Sequence, residues 1–150
     1  WKCLNLKDAR LIVRSEIVAG AQSLLGQPGV THIPPVSRQR LIELYKEADL
    51  FCFPSVDDGF GLVVLEAMAA GLPVIITENV GAADLIQEGR EGFIVPIRNP
   101  DAIADKIRLL YDNRAALQAM GLAARRLAEK FTWERYARSL AKAYGNTTSS

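Results

Sequence analysis

In the stretch from Asp57 to Val74, Glu66 is the one carboxylate with apolar neighbours on both sides. This is the chemically most suggestive feature of the chain. Glu66 is the only ionisable residue between Asp58 and Glu78, and four apolar residues adjoin it on each side. A helix that is apolar all round is a buried helix. A buried carboxylate costs several kcal/mol of desolvation unless a partner binds it. The pattern therefore predicts a buried Glu66 that binds a partner.

The four residues Asp58-Gly59-Phe60-Gly61 precede this helix and are typical of a turn. Glycines let the backbone approach a ligand closely. The start of a helix presents free N–H groups and a partial positive charge, which suit a phosphate. Together with Glu66, the segment suits a ligand that has an anionic part and hydroxyl groups.

Short β-rich runs alternate with helical patterns along the chain, which predicts an α/β fold with a Rossmann-like, doubly wound parallel sheet and helices on both faces. The apolar residues of the runs Leu50–Phe53 and Val74–Thr77 are continuous rather than alternating, as expected for strands covered on both sides. Ligands of such folds bind at the carboxyl ends of the strands, and the Asp57–Gly61 loop follows one of them. The remaining predicted strands are Arg10–Val13, Val30–Ile33 and Gly92–Val95, and the predicted helices are Ile17–Leu25, Ser37–Glu47, Leu62–Ala70, Ala82–Glu88, Pro100–Asp112, Arg114–Lys130 and Trp133–Tyr144.

Length and composition exclude several classes of function. The chain has 150 residues with 18 basic and 17 acidic side chains, a balance that gives no footprint for nucleic acid. The basic residues Arg125, Arg126 and Lys130 indicate a solvated helix face. With one histidine, His32, and two cysteines without zinc spacing, no metal site is predicted. Neither a signal peptide nor an apolar run of about 18 residues is visible, so a cytoplasmic location is expected.

Two other interpretations of the Asp58–Glu66 segment stay open at this point. In the first, the glycines only make a tight turn and Glu66 finds a structural partner. In the second, Gly59-Phe60-Gly61 begins a dinucleotide fingerprint for NAD, with Glu78 at the end of the next strand. The bulk of Val64 opposes the NAD interpretation, because it occupies a position where a small residue lets helix and strand pack closely. That interpretation also leaves Glu66 without a role.

The same segment resembles the donor-site motif of retaining nucleotide-sugar glycosyltransferases with the GT-B fold, of the family 4 type (glycosyl transferases group 1). That motif has an acidic residue, seven further residues and then Glu, here Asp58 to Glu66, and continues as Ala-Met-Ala-x-Gly-x-Pro-Val, here Ala67–Val74. The likeness extends over about Val30 to Tyr144. It also includes Leu44-Tyr45, Ala48-Asp49, Pro54-Ser55, Gly89, Gly92–Val95 and Phe131–Trp133.

The resemblance implies a role for each matching residue. Asp58 would hydrogen-bond hydroxyls of the donor sugar, and Glu66 would bind the ribose. The donor would be a UDP- or GDP-type nucleotide diphosphate sugar, with no cofactor and no metal, because the helix dipole partly replaces a cation. The other implied donor-binding groups are the backbone amides of Gly59, Phe60 and Gly61 for the sugar, those of Leu62 and Val63 for the diphosphate, and the backbone around Ile33 and Pro34 for the base.

The chain also departs from the family pattern. Asp58 is one methylene shorter than the usual Glu, Arg14-Ser15-Glu16 stands where a Gly-x-Gly is common, and Pro34 replaces a common Gly. Trp1–Leu6 is interpreted as the end of a helix, and the family's first strand, with its basic diphosphate clamp, would precede it. Residues 1–145 are therefore predicted to be a donor-binding domain incomplete at its N-terminus, with a polar tail at 146–150.

On this interpretation the full enzyme transfers a sugar, with retention of configuration, to a glycan, lipid or small-molecule acceptor. A missing N-terminal domain would bind the acceptor and could hold the enzyme peripherally on a membrane. The alternative is a non-catalytic nucleotide-sugar-binding remnant, and the chain alone is expected to be inactive.

Overall fold

The computed structural model describes residues 1, 3–16 and 25–145, and the chain divides into two compact units, Trp1–Glu47 and Ala48–Ser150. The first unit contains a parallel pair of strands, β1 (Leu11–Arg14) and β2 (Val30–Ile33), followed by helix α1 (Arg38–Glu47). Nε2 of His32 in β2 lies 2.9 Å from the carbonyl oxygen of Ser15, beyond the end of β1. This backbone contact agrees with a structural role for the histidine.

The second unit is built on a three-stranded parallel sheet in the order β3-β4-β5. Its strands are β3 (Phe51–Phe53), β4 (Val74–Thr77) and β5 (Gly92–Val95). A helix or a short 3₁₀ helix follows each strand, as parallel connections require. These elements are helix α2 (Leu62–Ala69), the 3₁₀ helix Gly81–Leu85, and helices α3 (Pro100–Asp112), α4 (Arg114–Ala128) and α5 (Trp133–Gly145).

The core of the second unit consists of two apolar clusters, and β4 contributes alternate residues to them. Ile76 packs with Val64 and Met68 of α2 in one cluster, whereas Ile75 packs with Leu110 of α3 in the other. All four residues of β4 are buried. Helices therefore cover both faces of this sheet, which confirms the predicted α/β class and the continuous apolar pattern of β4.

Most predicted elements are confirmed within one or two residues at their ends, and two predictions are wrong. The segment Trp1–Leu6 contains a turn, closed by a hydrogen bond from the Leu4 N–H to the Trp1 carbonyl oxygen at 3.0 Å, and no helix is assigned to its described residues. The predicted helix Ala82–Glu88 is replaced by the short 3₁₀ helix, because Ile86 adopts an extended backbone conformation. The helix predicted at Ile17–Leu25 falls almost wholly outside the described residues.

Candidate functional site

The loop that follows the carboxyl end of β3 is held in place by hydrogen bonds from the end of β4 and from the segment after it. Two side chains, one from the last residue of β4 and one from the segment after it, contact loop carbonyl groups. The Thr77 hydroxyl donates a hydrogen bond to the Ser55 carbonyl oxygen, and the Asn79 amide nitrogen donates to that of Val56 at 3.1 Å. Because Thr77 is buried, the first of these bonds is shielded from water. The loop is thus positioned by the sheet and not by its own sequence alone.

Backbone hydrogen bonds extend this fastening through the predicted site. The Asp58 N–H donates to the Asn79 carbonyl oxygen at 3.2 Å, and the Gly81 N–H donates to the Asp58 carbonyl oxygen at 3.1 Å. The Ala82 N–H then donates to the Phe60 carbonyl oxygen at 2.8 Å. The last two bonds are donated by the first amides of the 3₁₀ helix. The three backbone hydrogen bonds between residues 79–82 and the loop are called the ladder below.

Two glycines make this close approach sterically possible. Gly61 has a φ of 76°, and a Cβ there would lie 2.7 Å from Cγ1 of Val80. A Cβ on Gly81 would lie 2.3 Å from the carbonyl oxygen of Gly59. Side chains at either position would therefore push the loop away from the segment that holds it.

The Asp58 carboxylate is half-buried and shapes the loop that contains it. Its Oδ1 accepts the N–H of Phe60 at 3.1 Å, which closes an Asx-turn. The Phe60 amide is therefore engaged within the loop. Of the three amides predicted to hold a sugar, those of Gly59 and Gly61 are better candidates. The second oxygen of Asp58 retains acceptor capacity for a ligand.

Helix α2 begins directly after this loop with its first amides uncapped by a side chain. Gly61 is the N-cap residue, and no side-chain hydrogen bond is made there. The first N–H groups of a helix have no intrahelical acceptor. The amides of Leu62 and Val63 therefore belong to an open helix start that carries a partial positive charge.

Glu66 lies one turn further along α2, and its predicted burial is wrong. The buried side chains of the helix are Val64, Ala67 and Met68, whereas Glu66 is exposed together with Leu62 and Ala69. The exposed residues recur at helical spacing on one face. Although its sequence is apolar on all sides of Glu66, α2 is buried on one face only. Glu66 lies on the exposed face, so no desolvation penalty requires it to have a partner. Its binding role stays a prediction.

Ile33 and Pro34, predicted to border a base, lie at the end of β2 in the first unit. The Ile33 carbonyl oxygen accepts the N–H of Ser15 at 3.3 Å, and Pro34 is exposed. The segment from Asp58 to Glu66 belongs to the second unit. Within that segment the predicted site residues are contiguous, whereas the grouping of Ile33 and Pro34 with them stays a prediction.

Sequence reasoning missed Asn79 and Gly81, which hold the loop. The available signal was Gly81 itself, which follows the strand Val74–Thr77 by four residues, because glycine lets two backbone segments approach closely. Glu78, the acidic residue of the NAD interpretation, is engaged elsewhere, since its Oε1 accepts the Ile97 N–H at 3.3 Å.

Other groups in the described ranges offer no competing centre. Burial raises the pKa of the Cys52 thiol to about 11, so the thiol stays protonated at neutral pH and is a weak nucleophile. Across residues 1, 3–16 and 25–145, no three His, Cys, Asp or Glu side chains are grouped to hold a metal ion. Over the same residues, no helix combines the length and apolar character needed to cross a membrane.

A family model described as "Glycosyl transferases group 1" matches residues 14–127 of the chain. The chain belongs to this family. It is 38% identical over 120 residues to the D-inositol 3-phosphate glycosyltransferase of Paenarthrobacter aurescens, covering 80% of this chain and 29% of that protein. The corresponding enzyme of Streptomyces avermitilis is 36% identical over 129 residues, covering 83% and 28%. The chain thus spans less than a third of these curated relatives.

Solved structures of glycosyltransferases with the GT-B fold share this architecture. Sucrose-phosphate synthase from Thermosynechococcus elongatus superposes with a TM-score of 0.75 at 27% identity, covering 85% of this chain and 32% of that chain. Anabaena HepE, solved in complex with UDP-glucose, gives a TM-score of 0.80 at 21% identity, covering 94% and 42%. The second likeness, at its low identity, shows the fold alone.

Proposed function

We propose that this chain is the donor-binding part of a retaining glycosyltransferase of the family 4 type. It would bind a UDP- or GDP-type nucleotide diphosphate sugar, from which the full protein transfers the sugar to a glycan, lipid or small-molecule acceptor. The observation that carries the proposal is the loop Asp58–Gly61, fastened at the carboxyl end of the sheet and continuing into the open start of α2. Membership of the family glycosyl transferases group 1 over residues 14–127 supports a glycosyltransferase function for this segment.

The local geometry suits charge stabilisation of a departing diphosphate. The amides of Leu62 and Val63 would donate hydrogen bonds to the diphosphate, and the dipole of α2 would favour its negative charge. The loop that leads into these amides is fixed before the reaction by the hydrogen bonds of Asp58 and Phe60 to Gly81 and Ala82, so little reorganisation is needed as charge develops. This arrangement requires no divalent cation, and none is part of the proposal.

The donor's hydroxyl groups would be recognised at the two ends of the same segment. Asp58 would accept hydrogen bonds from the sugar through the oxygen that the Asx-turn leaves available, and the amides of Gly59 and Gly61 would donate to the sugar. Glu66 would accept from the ribose hydroxyls, one helical turn beyond the diphosphate site. The exposure of Glu66 leaves its carboxylate accessible to such a ligand.

The remaining parts of the proposal concern the whole protein. The acceptor would be bound outside this chain, in a cytoplasmic enzyme that could contact a membrane peripherally. The alternative is a protein that binds a nucleotide sugar without transferring it. Binding of UDP or GDP combined with absence of transfer by the full-length protein would favour that alternative.

Calorimetry on the full-length protein with UDP, GDP and NAD tests the ligand class. We expect UDP or GDP to bind, with or without a chelator, and NAD not to bind. Tight NAD binding without a response to either diphosphate would refute the proposal. Loss of nucleotide binding on chelation would refute its metal-free form.

The variant Glu66→Gln tests the ribose contact within the same assay. We expect a loss of nucleotide affinity of about 1.5–3 kcal/mol, the range for a hydrogen bond to a charged group. The melting temperature should not change, because the side chain is exposed. Asp105→Asn, which removes an exposed carboxylate from α3, is the matched control and should bind normally. Normal nucleotide binding by Glu66→Gln would remove Glu66 from the site.

A further inference from the structure

A cavity of about 240 Å³ lies at the other end of the three-stranded sheet from the Asp58 loop. One wall is the segment Gln87–Glu91, which leads into the amino end of β5. The other is the last two turns of α4 together with Lys130, just beyond the helix end. The strands β3 and β5 are both parallel to β4. The amino end of β5 and the carboxyl end of β3 therefore lie at opposite ends of the sheet, measured along the strand direction. The cavity is therefore separate from the proposed donor site.

The first wall combines a buried carboxylate with a positioned arginine. Glu91 is only 4% exposed, and its Oε2 accepts the Gln87 N–H at 3.0 Å. Its Oε1 lies 3.3 Å from Nε of Arg90, whose Nη1 donates to the Gln87 side-chain oxygen at 2.8 Å. The Glu91 carboxylate thus has hydrogen-bond and ion-pair partners within the segment Gln87–Glu91. The Arg90 guanidinium group is held by Glu91 and Gln87 and remains largely exposed.

The second wall adds two further cations, Arg126 in the last turn of α4 and Lys130 just beyond the end of that helix. Both are exposed, and no acceptor for either side chain is found within the described ranges. The neighbouring Arg125 differs, because its Nε lies 3.1 Å from Oε1 of Glu129. Arg126 and Lys130 line the same cavity, and like charges that lie close together repel each other. An anion between Arg126 and Lys130 would relieve that repulsion.

We propose that this cavity binds the phosphate group of a phosphate monoester. Three cations and one carboxylate give the lining a formal charge of +2, which matches a phosphate dianion. Arginine offers a planar fork of donors that fits phosphate oxygens in pairs, and Arg90 is already held in position. The volume is many times the roughly 10–15 Å³ that a cavity needs to hold one water. It leaves room for a small organic group against Leu85 and Leu127, which also line the cavity.

A phosphate monoester could come from a soluble metabolite or from a lipid headgroup, and two probes distinguish these sources. Calorimetry on the full-length protein would use glycerol 3-phosphate, and flotation would compare vesicles of phosphatidylcholine with and without phosphatidic acid. Binding of glycerol 3-phosphate supports the proposal with a soluble ligand. Flotation only with phosphatidic acid supports it with a lipid headgroup. Binding of neither probe at millimolar concentration overturns it.

Variants of the lining separate a site from diffuse surface charge. We expect Arg126→Gln combined with Lys130→Gln to weaken binding of the responding probe at least about tenfold, because two charged hydrogen-bond donors are lost. Arg125→Gln, on the same helix but outside the cavity, should stay within about twofold, since its loss changes only screened surface charge. Equal weakening by both variants would indicate general surface attraction and would overturn the proposal.

A charge removal at Glu91 is expected to act in the opposite direction. Glu91→Gln keeps an oxygen that can accept the Gln87 N–H but removes the one negative charge of the lining. We expect tighter binding of glycerol 3-phosphate at an unchanged UDP affinity, with a melting curve verifying that the variant is folded. Weaker binding by a folded Glu91→Gln protein would contradict the proposed electrostatics. Because UDP is measured in the same samples, failure of this proposal is distinguishable from failure of the proposed donor site.

Discussion

Asp58 combines two tasks in one side chain, and a substitution can separate them. Asp58→Asn retains an oxygen that can accept the Phe60 N–H, so the Asx-turn is kept, but the negative charge is lost. We expect sugar transfer by the full-length protein to fall about 10- to 100-fold, as for a charged hydrogen bond of 1.5–3 kcal/mol. UDP affinity should stay nearly unchanged. Equal losses in transfer and UDP affinity would place Asp58 at the nucleotide end of the donor. Asp58→Ala, which removes the turn as well, should impair both.

Glu66 shows what residue patterns can and cannot predict. Its place on a helix after a glycine turn could be predicted, because the spacing of residues is local information. Its burial could not, since Leu62 and Ala69 are apolar yet exposed on the same face. Whether an apolar side chain is covered depends on which elements pack against it. A count of apolar neighbours along the chain therefore overestimated the burial of this carboxylate.

At the scale of elements, the connection after β4 determines the shape of the loop after β3. Gly81→Ala places a methyl group 2.3 Å from the Gly59 carbonyl oxygen, so loop and connection must separate. We expect a loss of about 1–3 kcal/mol in the free energy of unfolding, as for an overpacked site, together with weaker UDP binding. Gly59→Ala is the matched control for stability, because a Cβ there meets no atom within 4 Å. Chemical denaturation of both variants measures the difference. An equal stability of the two would show that the ladder is not tightly packed.

The elements that were predicted well have strong local signals. Asn99-Pro100 starts α3 as expected, and the Asn99 side chain accepts the Ala102 N–H at 3.0 Å. The apolar run of β4 is likewise sufficient to specify a covered strand. The helix predicted at Ala82–Glu88 failed because tertiary hydrogen bonds engage its first amides and Glu91 engages the Gln87 N–H. Phe60, which is distant in sequence, and Glu91, which lies just beyond the predicted helix, both act on this segment, and a helical pattern within 82–88 contains neither residue.

At the scale of the whole molecule, the sheet of the second unit has β3 at one edge. Edge strands present backbone groups that pair with other chains, and the Phe51 and Phe53 side chains are only half-buried. The chain also spans less than a third of its curated relatives. We therefore expect residues 1–150 produced alone to self-associate and to transfer no sugar. Size-exclusion chromatography at several concentrations and a transfer assay measure both. A stable, concentration-independent monomer with transfer activity would contradict this expectation.

The two units should also differ in local stability. Every residue of the two core clusters belongs to the second unit, and β4 is fully buried, whereas β1 and β2 contain no buried residue. Two-stranded sheets are marginally stable on their own, and local opening requires least free energy where few apolar contacts are lost. In hydrogen exchange of the full-length protein, amides of β4 should therefore exchange at least about 100-fold more slowly than those of β1 and β2. UDP should slow exchange further in the Asp58–Gly61 loop, which supplies an internal control for the bound state. Equal protection of β1, β2 and β4 would mean that contacts beyond the first unit's own strands stabilise it.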